Sequence, residues 1–316
     1  MDQKTLFTLE YDKVLERLAN YAAFSASADL ARNLRPSDQL AEARERQALT
    51  TEARFLLSVF ADTTVGGSRD IRPLVNRAAQ HGILEPTDLL SIKYTLAAAR
   101  DLSRSLSEQA EKLPLLAQLG SQLPPPPGII EAITRTISER GEVQDNASPR
   151  LSSLRSEIRV AHDRLMTRLQ QMISDPHKSI MLQEAIITQR NGRYVIPLRA
   201  EFKGRIKSII HDQSSSGATL FVEPLVTVEL NNRWHELQLA ERDEIRRILL
   251  ELTDLIGNEA DWIREIVFNL ARFDLALMFA KYAEDLEANE PELVEFDKRT
   301  DHHPGILCPV DQADGL

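Results

Sequence analysis

Between residues 211 and 216 the chain reads HDQSSS, which places a histidine, an aspartate and three hydroxyls within six positions. Together these are the raw materials of nucleophilic hydrolysis. That chemistry needs the imidazole between the nucleophile and the orienting carboxylate. In an extended strand, consecutive side chains point to opposite faces, so His211 and Asp212 are badly placed to work as a pair. Ser214, Ser215 and Ser216, followed by Gly217, are turn-forming residues, and the sequence predicts a turn here with no catalytic residue. His235-Glu236 opens like a zinc-protease HExxH, but Leu239 stands where the second histidine would be needed. His302-His303 falls in an irregular segment, and the single cysteine, Cys308, allows neither an internal disulfide nor a multi-cysteine zinc site. Neither G-x-x-x-x-G-K-[ST] nor GxGxxG occurs, so no cofactor is expected on this chain and it should not bind ATP by itself.

The charge pattern carries more information. The chain has 48 acidic and 38 basic side chains and a formal net charge of -10. Residues 190–207 reverse that balance, with Arg190, Arg193, Arg199, Lys203, Arg205 and Lys207 set against Glu201. One reading is a tip that grips phosphates, helped by turn hydroxyls and backbone amides and without base readout, since aromatic residues are few. The other is a solvated hairpin whose edge cations discourage strand pairing. Charge alone does not separate them.

These residues need a scaffold, and the hydrophobic periods describe one. From residue 5 to about 122, apolar residues recur at three- and four-residue spacings, predicting a helical core over 1–123, with Ser37 capping a helix through 38–60 and Pro86 opening another. Pro124 to Pro127 make a stiff joint at the start of a linker and short helix over 124–148. Then Leu151, Leu154, Ile158, Ala161, Leu165, Leu169 and Met172 draw a narrow seam along an outgoing helix, 149–178 with its exit. Leu230, Trp234, Leu237, Ile245, Ile248, Leu252 and Leu255 repeat the stripe along a returning helix, 225–260, predicted to lie antiparallel to the first. Between them, 179–224 reads as four short strands, the first two joined by Asn191-Gly192, a type I′ hairpin signal. Helix resumes over 261–296, and 297–316 loses periodicity. The predicted fold is mainly α: a helical core bundle with a long antiparallel two-helix lever arm carrying a small antiparallel β insert. The chain shows neither a signal peptide nor a membrane span, and one cysteine suits a reducing cytoplasm.

Residues 193–232, RYVIPLRAEFKGRIKSIIHDQSSSGATLFVEPLVTVELNN, resemble the MutS-two family, bacterial paralogues of the mismatch-repair protein MutS. The family's pattern is present in order as Pro197-Leu198, Lys203-Gly204, His211 to Thr219 and Glu223-Pro224. GEVQDNASPRLSSLR at 141–155 resembles its entry into the lever helix, and the resemblance covers about 1–296. It implies core, lever, clamp, returning lever and core, without mismatch specificity. It also implies binding of branched or duplex DNA, or of collided ribosomes and their rRNA, in restraint of recombination or ribosome rescue. DHHPGI at 301–306 is similar to the family's element before its ATPase. The ATPase, with its ATP and Mg and the main homodimer contact, and the nuclease are implied for segments absent from these residues, so a truncated piece or a short form is expected. The resemblance makes the 179–224 insert a clamp. The residues expected to approach nucleic acid are the six cations of 190–207 with Ser214, Ser215 and Ser216. The competing expectation is a non-catalytic module that grips a protein or a second copy.

Overall fold

The computed structural model describes residues 3–294; the expected irregular tail, with His302, His303 and Cys308, lies outside them. In chain order the helices are α1 Gln3–Thr8, α2 Tyr11–Ala19, α3 Ser25–Arg32, α4 Leu40–Val59, α5 Arg72–Ala79, α6 Pro86–Glu108, α7 Pro114–Gly120, α8 Ile129–Thr136, α9 Pro149–Ile173 and α10 Pro176–Ser179. Strands β1 Thr188–Arg190, β2 Arg193–Arg199, β3 Ser208–Gln213 and β4 Thr219–Pro224 follow, then α11 Leu225–Asn258 and α12 Ala260–Asp285. The fold is mainly α with one small antiparallel sheet, as the periods predict. No helix among the described residues is long and apolar enough to cross a membrane.

Two units divide the chain, one of residues 1–66, 101–123 and 268–316, the other of 67–100 and 124–267. In the first, Leu18, Ala19 and Ala31 bury against Met278. The Asp274 carboxylate accepts from the Ala23 amide at 2.8 Å, pinning the turn that leads into α3. Ser37 is not the cap of α4: its Oγ accepts from the Gln39 amide at 3.1 Å, and the helix begins after Gln39. The hydroxyl has closed a local turn instead.

The second unit holds the long helices and the sheet. Ser148 caps α9 by accepting from the Leu151 amide at 3.0 Å, and Pro149 takes the first helical position, where its missing N–H costs nothing. Three cross-helix pairs fix the direction of packing. Ser148 Oγ donates to Glu244 at 2.7 Å, Arg155 Nε to Glu241 at 2.8 Å and Arg233 to Glu157 at 2.8 Å. The α9 number rises as the α11 number falls, so the two helices are antiparallel. Leu154 and Ala161 meet Trp234 and Leu237 in the seam.

Beyond Glu244, α9 no longer faces α11, and the buried side of α11 shifts. Leu255, expected in the stripe, is 36% exposed, whereas Leu249, Leu252, Thr253 and Ile256 are buried. The new neighbour is α5. A Cβ on Gly257 would lie 2.7 Å from the Ala78 carbonyl oxygen, so the two backbones touch where only hydrogen fits. Thr253 Oγ1 accepts from the Leu84 amide at 3.0 Å.

At the other end of α9, Leu165, Leu169, Met172 and Ile173 pack on the inner face of the sheet, against Ile196, Leu198, Leu220 and Val222. The sheet order is β1-β2-β4-β3, all antiparallel. Asn191 (φ 52°) and Gly192 (φ 73°) turn β1 into β2 in the left-handed conformation that a type I′ hairpin requires.

Candidate nucleic-acid interface

Alternation along the strands sorts the basic tip into two groups. Arg190, Arg193 and Arg199 share the outer face of the sheet, opposite the inner Ile196, Leu198 and Val222. All three are bonded to the protein itself. Arg193 Nη1 lies 3.1 Å from Glu223 Oε1, and Arg199 Nε donates to the Leu182 carbonyl at 3.1 Å. Arg190 sits 4.1 Å over the Phe221 ring and 3.2 Å from Asp212. That contact requires the β1–β2 hairpin to fold over the outer face, and Asn191 Nδ2 donates to the His211 carbonyl at 3.4 Å at the same place.

His211 and Asp212 occupy a register shift in β3, where the pairing with β4 jumps from Ile210 to Asp212. The irregularity lets the two neighbours take separate partners: Asp212 meets Arg190, and His211 Nε2 lies 2.6 Å from Glu223 Oε2. Glu223 is fully buried, and with both oxygens engaged it ties β2, β4 and β3 together on the outer face. His211 therefore serves the sheet, and among the described residues no serine is bonded to it. Ser214 Oγ accepts from the Thr219 amide at 3.0 Å, and the Gly217 amide donates to the Ser214 carbonyl at 2.8 Å, closing the turn. Ser216 Oγ is 3.3 Å from Ser214 Oγ, and Ser215 is exposed.

Lys203, Arg205 and Lys207 are different. They lie in the exposed connection from β2 to β3, and their side chains make no hydrogen bond or ion pair among the described residues. The loop is anchored at both ends, by the Lys203 amide to the Ala200 carbonyl at 3.1 Å and by the Leu225 amide to the Lys207 carbonyl at 2.9 Å. Three uncompensated cations on a short, fixed loop can meet a polyanion at little ordering cost.

Residues that sequence reasoning did not single out hold this tip on the helices. Asn231 of α11 is fully buried; its Oδ1 accepts from the Tyr194 amide and its Nδ2 donates to the Tyr194 carbonyl, both at 3.1 Å. The Tyr194 hydroxyl is 3.0 Å from His162 Nε2 of α9, and its ring lies 5.0 Å from that of Trp234. One tyrosine thus joins β2 to both long helices.

No family model matches the chain. It is 38% identical over 322 residues to Endonuclease MutS2 of Symbiobacterium thermophilum, an alignment covering 100% of this chain and 40% of that protein. The protein of the same name from Thermomicrobium roseum is 42% identical over 298 residues, covering 93% of this chain and 37% of the relative. The one from a Geobacillus species is 41% identical over 294 residues, with 92% and 38% covered. The chain therefore spans about two fifths of the length of these curated relatives. Identity at this level across nearly every residue, joined to the long helices and the sheet they carry, means that the chain belongs to the MutS2 family.

Proposed function

We propose that this chain is a clamp and lever segment that grips a nucleic-acid backbone through the β2–β3 loop, without mismatch specificity. The ligand in this reading is branched or duplex DNA, or the rRNA of a collided ribosome, and the setting is restraint of recombination or ribosome rescue in the cytoplasm. The observation that carries it is the set of three cations, Lys203, Arg205 and Lys207, without a side-chain partner among the described residues, on a loop bonded at both ends. Arg190, Arg193 and Arg199 add positive potential from the sheet face, and the Ser214–Ser216 turn lets the tip approach phosphates closely. No catalytic step is assigned to these residues. ATP and Mg, cleavage and the homodimer contact belong, in this reading, to other parts of the longer relatives.

Fluorescence anisotropy with labelled branched DNA, duplex DNA and structured RNA tests the proposal. Affinity should fall with salt at a log-log slope of about -0.9 for each B-DNA phosphate engaged. Absence of binding to all three ligands at low salt would remove the assignment.

A second reading has its own observation. Ile209 and Ile210 of β3, each 43% exposed, and Leu225 and Val226 at the start of α11, 51% and 55% exposed, leave aliphatic side chains open to solvent at the sheet end of the arm. Exposed aliphatic side chains suit a protein partner or a second copy. Loss of a partner on replacing these four with serine, with nucleic-acid binding intact, would favour it.

A further inference from the structure

The first unit contains a cleft of about 520 Å³ that the clamp does not use. Its walls are α4 and the later part of α12, and its roof is the segment that follows α12. That helix ends at Asp285, and the turn after it passes through Glu287 (φ 49°), with the Ala288 amide donating to the Ala283 carbonyl at 2.9 Å. From there the chain runs extended along α4. Arg54 donates to the Ala288 carbonyl at 3.5 Å, Gln47 to that of Pro291 at 2.6 Å and Arg44 to that of Leu293 at 3.1 Å. The roof is held by main-chain carbonyls rather than by buried side chains, since Asn289, Glu290, Pro291 and Glu292 are all exposed.

Under this roof the lining joins half-buried rings to polar groups. Tyr11, Phe279 and Tyr282 supply the rings, and Arg54 and Thr51 supply polar groups along α4. Arg54 is loosely satisfied: besides the 3.5 Å bond to Ala288, it lies 3.8 Å from the exposed carboxylate of Glu284. Both contacts are longer than the 2.7–3.2 Å usual for N–H···O bonds. The Tyr11 hydroxyl has no hydrogen-bond partner among the described residues, and burial raises its pKa against the pull of Arg46 and Arg35, so it stays a neutral donor. Rings beside an exchangeable guanidinium and a free phenol match a flat ring that carries an anion.

We propose that this cleft is a binding site for a small aromatic anion, with Arg54 on the anionic group, the Tyr11 hydroxyl as a further donor in the lining, the rings of Phe279 and Tyr282 against the ligand's ring, and residues 288–293 as the lid. The ligand displaces the Glu284 carboxylate from Arg54 and tightens the roof over itself. Two sources share this chemistry, a nucleoside monophosphate and an aromatic carboxylate. The cleft shares no residue with the basic tip, and the proposal does not depend on the clamp reading.

Calorimetric titration of the full chain tests it, with AMP and 4-hydroxybenzoate as probes and with adenosine and ribose 5-phosphate as the ring-only and anion-only controls. At least one probe should saturate below about 10 mM and bind at least about tenfold tighter than either control. AMP alone would identify the nucleotide class, and 4-hydroxybenzoate alone the carboxylate class. Arg54→Gln should weaken binding about tenfold, and Glu284→Gln, which removes the competing carboxylate, should tighten it about threefold. A gain of affinity cannot come from a misfolded variant. Amide exchange in 288–293 should slow when the probe binds. Failure of both probes to saturate, controls that bind equally well, or indifference to both substitutions would overturn the assignment.

Discussion

His211 Nε2 lies 2.6 Å from Glu223 Oε2, which makes the histidine of the HDQSSS stretch a strand-to-strand tie. The other carboxylate oxygen holds Arg193, so a single buried acid compensates two groups from different strands. Glu223→Ala removes both bonds and should destabilise the sheet by about 3 kcal/mol, the usual result of breaking a buried pair from one side. Faster amide exchange in β2, β3 and β4, with α9 and α11 still helical by circular dichroism, is the expected signature. Exchange rates equal to those of the parent would show that the tie carries no stability.

The two groups of cations should respond differently to substitution. Replacing Lys203, Arg205 and Lys207 with Glu should abolish nucleic-acid binding at physiological salt and leave the melting temperature nearly unchanged, because none of the three side chains has a partner among the described residues. Their neutralisation should also lower the magnitude of the salt slope by about 2 to 3. Replacing Arg190, Arg193 and Arg199 with Gln should instead lower stability through the lost Phe221, Glu223 and Leu182 contacts. Thermal melts read beside anisotropy separate the two outcomes.

Acid should loosen the pairing of α9 with α11. Hydrogen bonds from Arg247 and from Ser148 hold the Glu244 carboxyl at about 2, below its ordinary 4.5. A depressed folded-state pKa gives stability that is complete above about pH 4.5 and is lost as the pH falls toward 2. Urea midpoints between pH 7 and pH 3 should therefore drop more steeply in the parent than in Glu244→Gln, which cannot ionise. Parallel curves would rule out this source of acid sensitivity.

Gly257→Ala places a methyl carbon against the Ala78 carbonyl and should cost about 2 kcal/mol by forcing α5 away from α11. Gly192→Ala meets no atom within 4 Å, so its cost comes from the positive φ of 73° alone, about 1 kcal/mol. Denaturant melts of the two variants compare crowding with backbone strain in one protein.

Asn231→Ala should release β2 from the long helices, since it leaves both main-chain groups of Tyr194 without their partner. A loss of about 2 to 3 kcal/mol is expected. Tryptophan fluorescence should report the change directly, because Trp234 packs on the Tyr194 ring.

Much of this architecture was legible in the residues themselves. The seam from Leu151 to Met172 marks the buried side of α9, and Asn191-Gly192 specifies its hairpin. Local signals of this kind depend only on spacing and allowed dihedrals. Leu255 shows where they stop: the stripe on α11 assumes one partner throughout, but α5 takes over from α9 and the buried side moves. The basic window shows the same limit at the candidate site. A count of arginines cannot reveal that Arg193 is held by an acid 30 positions away, because that pairing depends on β2 lying beside β4. Asn231 gave no signal for a similar reason, as its partner Tyr194 lies 37 positions earlier.

The continuity of α11 has a mechanical consequence. It runs unbroken for 34 residues, from the end of β4 to its close contact with α5 at Gly257. At 1.5 Å per residue that is a beam of about 50 Å, so a tilt of about 5° at the Gly257 end sweeps the sheet end through about 4 Å. A displacement of that size exceeds the reach of a hydrogen bond, so rotation too small to disturb the packing at one end suffices to make or break contacts at the other.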